Sequence, residues 1–465
     1  MPAGRNTLGY FLMVATGVFL STMDSSMVNI ALPYIMESFS TTLSQVEWVV
    51  LVYLLTIAVS LLIWGKLSDH VGKGIVYLSG MLIFSSGSLL CSISPTLAVL
   101  VLFRFVQGLG ASMMMATGPA IIRGVVPHRQ LGSWLGALGI ATSLGLLSGP
   151  LVGGFVLHSF NWRTLFLFNA PVSFIVFLFG WFFLAGTLPK HTGPVLDFDW
   201  KGAILWAVGV VMLVLLTNLQ LLTSIYGYGY IIVCAVFGIW AFLFLRCQRR
   251  SENPLVPVFL LKQKYYFIAM IAVLISFCVL FFVLILMPFF FKYVMGLSSD
   301  RIGYMMMAVP VTLFIVSPLA GRMFDRFGAR FLTSGGMLIT TGAVLLLASI
   351  TETSSLIDIG WRLALLGCGQ SVFLSPNTAS VLSRVEFDET GVSAGMLATS
   401  RNLGMLLGVS LVGLIFSWLY GNATGGDLGD FRPELLPQFL GAFRYSLYAA
   451  AFLAFTGSLI SLIRK

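Results

Sequence analysis

Apolar runs of about 20 residues recur along nearly the whole chain, separated by short polar segments. A helical run of that length covers roughly 30 Å of hydrocarbon. The pattern predicts fourteen membrane-spanning helices, at about 8–34, 44–65, 75–94, 97–122, 131–157, 163–186, 201–221, 226–246, 266–292, 301–322, 331–350, 355–382, 392–419 and 438–462. An even number puts both termini on one side. Lysines and arginines identify that side. One face collects Arg5, Lys66, Lys73, Arg123, Arg129, Lys190, Lys201, Arg246, Arg249, Arg250, Lys262, Lys264, Arg322, Arg326, Arg330, Arg384, Arg464 and Lys465. The other carries only Arg163, Lys292, Arg301, Arg362, Arg432 and Arg444. This threefold bias makes the first face cytoplasmic. Trp48, Trp162, Trp361 and Trp418 fall at outer boundaries, where amphipathic rings prefer to sit.

A repeat is visible in the polar connections. Gly65-Lys-Leu-Ser-Asp69-His-Val-Gly72-Lys73 is echoed 256 residues later by Gly321-Arg-Met-Phe-Asp325-Arg-Phe-Gly328-Ala-Arg330. Six spans with short loops need only about 200 residues. The excess fits one added hairpin, supplied by the seventh and eighth runs. The expected architecture is all-α: a six-helix half at 1–188, a two-helix insert with linkers at 189–262, and a second six-helix half at 263–465. The hydrophilic stretches 187–200, 247–264 and 420–437 read as loops rather than soluble domains.

Composition agrees. Hydrophobic residues make up 58% and charged residues 9%, too apolar for a surface in water. The first run is not a cleaved signal peptide: it is too long, contains Asp24 and ends at Pro33 without a small-residue cleavage site. The net charge of +9 could suggest nucleic acid, but the basic residues cluster at alternate helix ends instead. The five cysteines lie in or beside apolar segments without zinc spacing, and read as packing residues. No Ser/His/Asp order, metal cluster or phosphate loop suggests an enzyme. His70, His128, His158 and His191 stay near loops. No cofactor is expected; the proton is the candidate coupling ion.

Candidate chemistry centres on Asp24, a lone acid inside the first apolar run. A mid-bilayer carboxylate costs on the order of 2.5–3.5 kcal/mol, so such residues are rarely idle. Arg104 and Arg401 are the other charges placed deep in the bilayer, at depths permitting a shared network. Asp24 then exchanges a proton while an arginine holds its ionised form; the plainer alternative is a static ion pair joining helices. Gln107, Gly108 and Ala111 share the Arg104 face, and Gly404 and Gly408 share the Arg401 face. Gly145, Gly149 and Gly153 make a flat stripe interrupted by Pro150, suited to close helix approach or simply to a kinked packing helix. Glu37, Glu47, Glu386, Asp388 and Glu389 read as solvated and without a role. Asn29, Gln107, Gln370 and Asn377, with the soft Met114, are candidate substrate contacts or interhelical bonds.

Taken together, the motifs resemble the major facilitator superfamily, specifically its fourteen-helix drug:proton antiporter branch. Residues 23–33 resemble that branch's first-helix motif, and residues 65–74 the superfamily's loop motif, although His70 and Gly74 replace the usual basic residues. Leu102-Phe-Arg104-Phe-Val-Gln107-Gly108-Leu-Gly110 resembles the fourth-helix motif, and Gly145 to Gly154 the fifth-helix antiporter motif. Trp162-Arg163 and Ser400-Arg401-Asn402-Leu-Gly404 also fit. The resemblance implies a cytoplasmic gate at Gly65, Asp69, Gly72, Lys73, Gly321, Asp325, Gly328 and Arg330. It also implies that Gly145, Gly149, Pro150, Gly153 and Gly154 act where the halves meet. The function expected is proton-driven export of amphipathic hydrophobic or cationic compounds, of the multidrug-efflux type, across a bacterial inner membrane. Lipid or fatty-acid export, or a non-transporting scaffold or receptor, are the alternatives. A monomer is expected, and nothing demands a periplasmic adaptor.

Overall fold

In the computed structural model, the described residues are 7–126, 130–184, 198–216, 229–251, 254–256, 258–385 and 390–464. Arg5, His128, Arg129, Lys190, His191, Glu386, Asp388, Glu389 and Lys465 lie outside them, as do the side chain of Asp325 and the 188/189 boundary. No strand occurs among the described residues. The principal helices are α1 Thr7–Ser38, α2 Trp48–Val71, α3 Lys73–Ser92, α4 Leu97–Val125, α5 Leu131–Ser159 and α6 Arg163–Phe179. There follow α7 Trp200–Leu216, α8 Gly229–Arg250 and α9 Lys264–Phe289. The last five are α10 Ser299–Phe324, α11 Arg326–Ala348, α12 Leu356–Leu382, α13 Thr390–Thr424 and α14 Leu436–Leu462.

Eleven helices among the described residues are long and apolar enough to cross a membrane. Helices α7, α8 and α12, at the seventh, eighth and twelfth predicted runs, are not among them. The described part of α7 is only 17 residues long. Helix α12 carries Asp358, Arg362, Gln370 and Asn377, which lower its apolarity. Exposed stripes such as Ile75, Leu82 and Leu89 on α3, and Phe452, Phe455 and Leu459 on α14, face outward. In water such surface would be costly; against lipid it is neutral.

Polar side chains start several helices where the hydrophobic pattern changes. Thr42 and Gln45 form a capping box on the turn before α2, Thr96 caps α4 and Ser355 caps α12. At both copies of the repeated loop the chain reverses through a left-handed glycine, Gly72 (φ 107°) and Gly328 (φ 71°). A side chain there would strain the backbone, so the sequence repeat marks a conformational requirement.

The packing repeats as well. Helix α1 lies on α5 and α9 lies on α13, while α3 pairs with both α4 and α6. Gly80 and Gly110 bring α3 and α4 into close approach; Gly336 and Gly369 do the same for α11 and α12. Gly108 seats against Tyr53 and Thr56, and Gly367 against Val309 and Thr312. These partners are separated by 256 or 259 residues, the spacing of the loop repeat. Helices α7 and α8 stand beside α2 as a hairpin: Trp206 donates to the Ala58 carbonyl and Trp240 to the Leu205 carbonyl.

The first and last helix sets meet mainly at the end opposite the termini, called the far end here. Helix α2 crosses α13 and α5 crosses α10. Glu37 on α1 pairs with Lys292 at 2.5 Å, and His158 with Asp300 at 3.5 Å. At the termini end, a cavity of about 250 Å³ separates α2 and α4 from the start of α13.

Candidate functional site

Asp24 sits near the middle of α1 and is fully buried. Its Oδ2 accepts a hydrogen bond from Arg104 Nη1 at 2.5 Å, forming an ion pair. Its Oδ1 accepts from Gln107 Nε2 at 3.0 Å and from Asn169 Nδ2 at 2.8 Å. Three donors on two oxygens suit an ionised carboxylate, which only accepts. The acid is therefore clamped by α4 and α6.

Arg104 is itself tightly held. Its Nε donates to the Val49 carbonyl of α2 at 2.9 Å, and Nη1 also donates to Gln107 Oε1 at 2.6 Å. The guanidinium lies 4.1 Å from the Tyr53 ring centroid and 5.5 Å from that of Phe166. Gln107 Nε2 also donates to Ser88 at 2.7 Å, and the Cys91 thiol approaches Gln107 Oε1 at 3.8 Å. Arg104 Nη2 alone has no partner. Five helices, α1, α2, α3, α4 and α6, thus contribute to the cluster around one charge pair.

The repeat supplies an internal comparison. At the offsets that superpose the two sets of glycine contacts, 255 for α1 and 259 for α4, Asp24, Arg104 and Gln107 correspond to Val279, Leu363 and Leu366. All three are buried in the second set. The fold closes there with aliphatic side chains, so packing does not require a charge pair at this position.

The structure sorts the expected residues. Asp24, Arg104 and Gln107 come together, making Gln107 a partner of the acid rather than a free substrate contact. Arg401 does not join them. No ion pair links it to Asp24; its guanidinium lies 5.1 Å from the Phe277 ring and its Nε is buried without a partner. Arg104 is also shallower than expected, seven residues after Leu97 or roughly 10 Å along the helix. Asn169, Ser88 and Tyr53 were missed. Asn169 carried the same signal as Asp24, a lone polar side chain in an apolar run.

Among the other candidates, Gln370 is occupied by Ser276, exchanging bonds of 2.6 and 3.1 Å. Asn377 accepts from the buried Arg464 and donates to the Ala269 carbonyl. Met114 packs in the core near Gly17, whereas Met115 lines the termini-end cavity. Asn29 is 2% exposed, and neither its Oδ1 nor its Nδ2 has a partner. Of these polar candidates it alone is left unsatisfied, a position suited to a ligand.

The glycine stripe of α5 packs against α1, the helix that carries the acid. Gly145 packs on Phe19 and Thr22, Gly149 on Met23 and Ser26, and Gly153 on Met27. Ser26 Oγ donates to the Leu146 carbonyl at 3.1 Å. Gly154, one residue on, faces the second set: a Cβ there would stand 2.7 Å from the Ser299 carbonyl oxygen and 2.9 Å from Gly303 Cα. Helix α5 therefore links the turns around Asp24 to the seam between the sets. A Gly154→Val substitution should disfavour the closed far end by about 1–3 kcal/mol. The labelling rate of a cysteine placed at Ser299 should rise accordingly.

At the termini end, Asp69 pairs with Lys73 at 3.1 Å, and both side chains are substantially exposed. With Lys66 and Arg123 they line the cavity facing Met396 and Ala398. A Cβ at Gly65 would meet open space, whereas one at Gly321 would come within 3.2 Å of Ser375 Oγ. Arg330 approaches Phe331 at 5.9 Å. Glu47 corrects the sequence reading: it is 3% exposed rather than solvated.

The sequence profile of the Major Facilitator Superfamily matches residues 14–409. The chain is 32% identical to "Riboflavin transporter RibZ" of Clostridioides difficile, over 87% of each chain. It is 28% identical to "Multidrug transporter protein MdtP" of Bacillus subtilis, over 90% of this chain and 77% of that one. Its fold resembles the crystal structure of a bacterial homologue of the human lysosomal transporter Spinster, inward-facing and unoccupied. The TM-score is 0.72 at 15% identity, covering 99% of this chain and 97% of that one.

Proposed function

Since the chain belongs to the Major Facilitator Superfamily, we propose that it is a proton-coupled exporter of small hydrophobic or amphipathic compounds, working by alternating access. The observation that carries this reading is the buried Asp24 carboxylate, clamped by donors from Arg104, Gln107 and Asn169. With the far end shut, the acid has given up its proton. Opening the far end loosens the clamp and lets a proton from that side neutralise the carboxylate. Returning with that proton and releasing it at the termini end completes one cycle of exchange.

The chain fits the fourteen-helix drug:proton antiporter branch, with α7, α8 and α12 also crossing the bilayer. The repeated contacts support halves at 1–188 and 263–465 around an insert at 189–262. The excess of basic residues supports a cytoplasmic termini end in a bacterial inner membrane. The structure then faces inward, with Asp69, Lys73, Asp325 and Arg330 at a released cytoplasmic gate. Arg401, half-buried across from the first half, is an alternative counter-ion after rearrangement. The protein acts as a monomer, without adaptor or cofactor.

The likeness to RibZ favours a second cargo reading, a flavin-type compound. Liposomes containing the protein, given an imposed pH gradient, separate the readings. A fluorescent cationic dye should accumulate only with the gradient. Movement of riboflavin alone assigns the vitamin reading, and movement of an acyl-chain analogue alone assigns lipid export. If none of them moves, the non-transporting scaffold reading is favoured.

A further inference from the structure

Glu47 stands just before α2 and is packed against the second half. Its carboxylate covers Gly413 of α13 so closely that any Cβ at 413 would collide with it. Glu47 Oε1 is buried and has no hydrogen-bond partner. Such a site disfavours an ionised carboxylate and tolerates a protonated one.

The repeat gives this contact its meaning. Position 47 plus 256 is Gly303, and position 413 minus 259 is Gly154. Glu47 on Gly413 is therefore the counterpart of Gly303 on Gly154, the other crossing that shuts the far end. One crossing closes glycine on glycine; the other closes with an acid where glycine suffices. Packing does not call for that acid.

Among the described residues, no cation forms an ion pair with it, Arg163, Arg432 and Arg444 of the same end included. The charges of α4 are Arg104, committed to Asp24, and Arg123 at the opposite end. Helix α13 carries only Arg401, twelve residues from Gly413 or roughly 18 Å along the helix. Lys201 on α7 lies at that helix's opposite end, as Lys73 does on α3. The acids of α1 are Asp24, already paired with Arg104, and Glu37, paired with Lys292. The hydroxyl of Ser417, one turn beyond Gly413, is buried and unpartnered.

We propose that Glu47 is a second proton-binding carboxylate, protonated when the α2–α13 seam is shut and ionised when the far end opens to water. Its proton comes from the far side and returns there, so it gates closure without adding to the protons carried. Acid on that side favours the shut seam, and alkali opposes it. The inference rests on the alternating-access reading above but is independent of Asp24.

The test is a far-end distance measurement in lipid nanodiscs, with spin labels on Ile93→Cys and Ile357→Cys, both exposed, and the native cysteines replaced. In the Asp24→Asn background, which removes the opposing proton uptake at Asp24 on opening, the open-to-closed ratio should rise from about pH 5 to pH 9 by up to roughly tenfold per pH unit, the limit for one linked proton. With Asp24 present the two linked protons oppose one another, and the same titration should be flatter. Adding Glu47→Gln, or separately Glu47→Gly, to the Asp24→Asn protein should hold the far end closed at every pH. A response that survives both Glu47 substitutions, or that is absent from the Asp24→Asn protein, overturns the proposal. Loss or retention of uphill transport in Asp24→Asn is read separately and bears only on the exporter reading.

Discussion

Under an imposed pH gradient, the Asp24→Asn protein is expected to let cargo equilibrate across a liposome membrane but never accumulate. An asparagine keeps the shape of the side chain and can still accept from Arg104. Arg104 keeps its bonds to Val49 and Gln107 and its place over Tyr53. What is lost is the group that, in the proposed cycle, binds and releases a proton. Each proton moving inward supplies about 2.3 kcal/mol per 100 mV, roughly 50-fold in cargo ratio. That ratio should fall to unity, while the size-exclusion profile stays that of folded protein. Undiminished accumulation would remove Asp24 from the coupling step.

Arg104→Ala should have the largest effect on stability. It leaves a fully buried carboxylate facing only two amide donors. Removing one partner of a buried ion pair costs about 3–5 kcal/mol, readable as a lowered unfolding temperature in detergent. The second half indicates the compensating change. Val279 and Leu363 fill the equivalent positions, so Asp24→Val combined with Arg104→Leu should recover most of that loss. Apolar replacement of both members of a buried pair is often neutral or stabilising. The double variant should be stable and unable to concentrate cargo. A double variant as unstable as Arg104→Ala would make the pair a structural requirement instead.

The sequence made Asp24 legible because a single acid in a long apolar run has few bland explanations. Gln107 was visible beside Arg104 through helical spacing, and the structure realises the interhelical bond that the sequence left open beside a substrate contact. Asn169 was overlooked in the same kind of setting, since an amide costs less to bury than a charge and stands out less. Glu47 was misread for another reason. A charge at the edge of an apolar run reads as solvated, and only the crossing with α13 buries it. Arg401 could be placed by depth but not by partner, because the opposing face depends on how the two sets are turned. The repeated loops were legible because Gly72 and Gly328 both serve a backbone turn that glycine favours. Fourteen apolar runs are legible in the sequence, but only eleven of the described helices are long and apolar enough to cross a membrane, and polar residues keep α12 from being one of them.

Difference infrared spectroscopy, comparing wild type with Asp24→Asn in two trapped states, reads the charge on Asp24 most directly. A His158→Cys/Asp300→Cys cross-link, at a pair that already touches, holds the far end shut; Gly154→Val favours it open. A protonated-carboxyl band that depends on Asp24 is expected in the open state, with an ionised signal in the shut state. An Asp24 carboxylate that remains ionised in both would contradict proton exchange at this site.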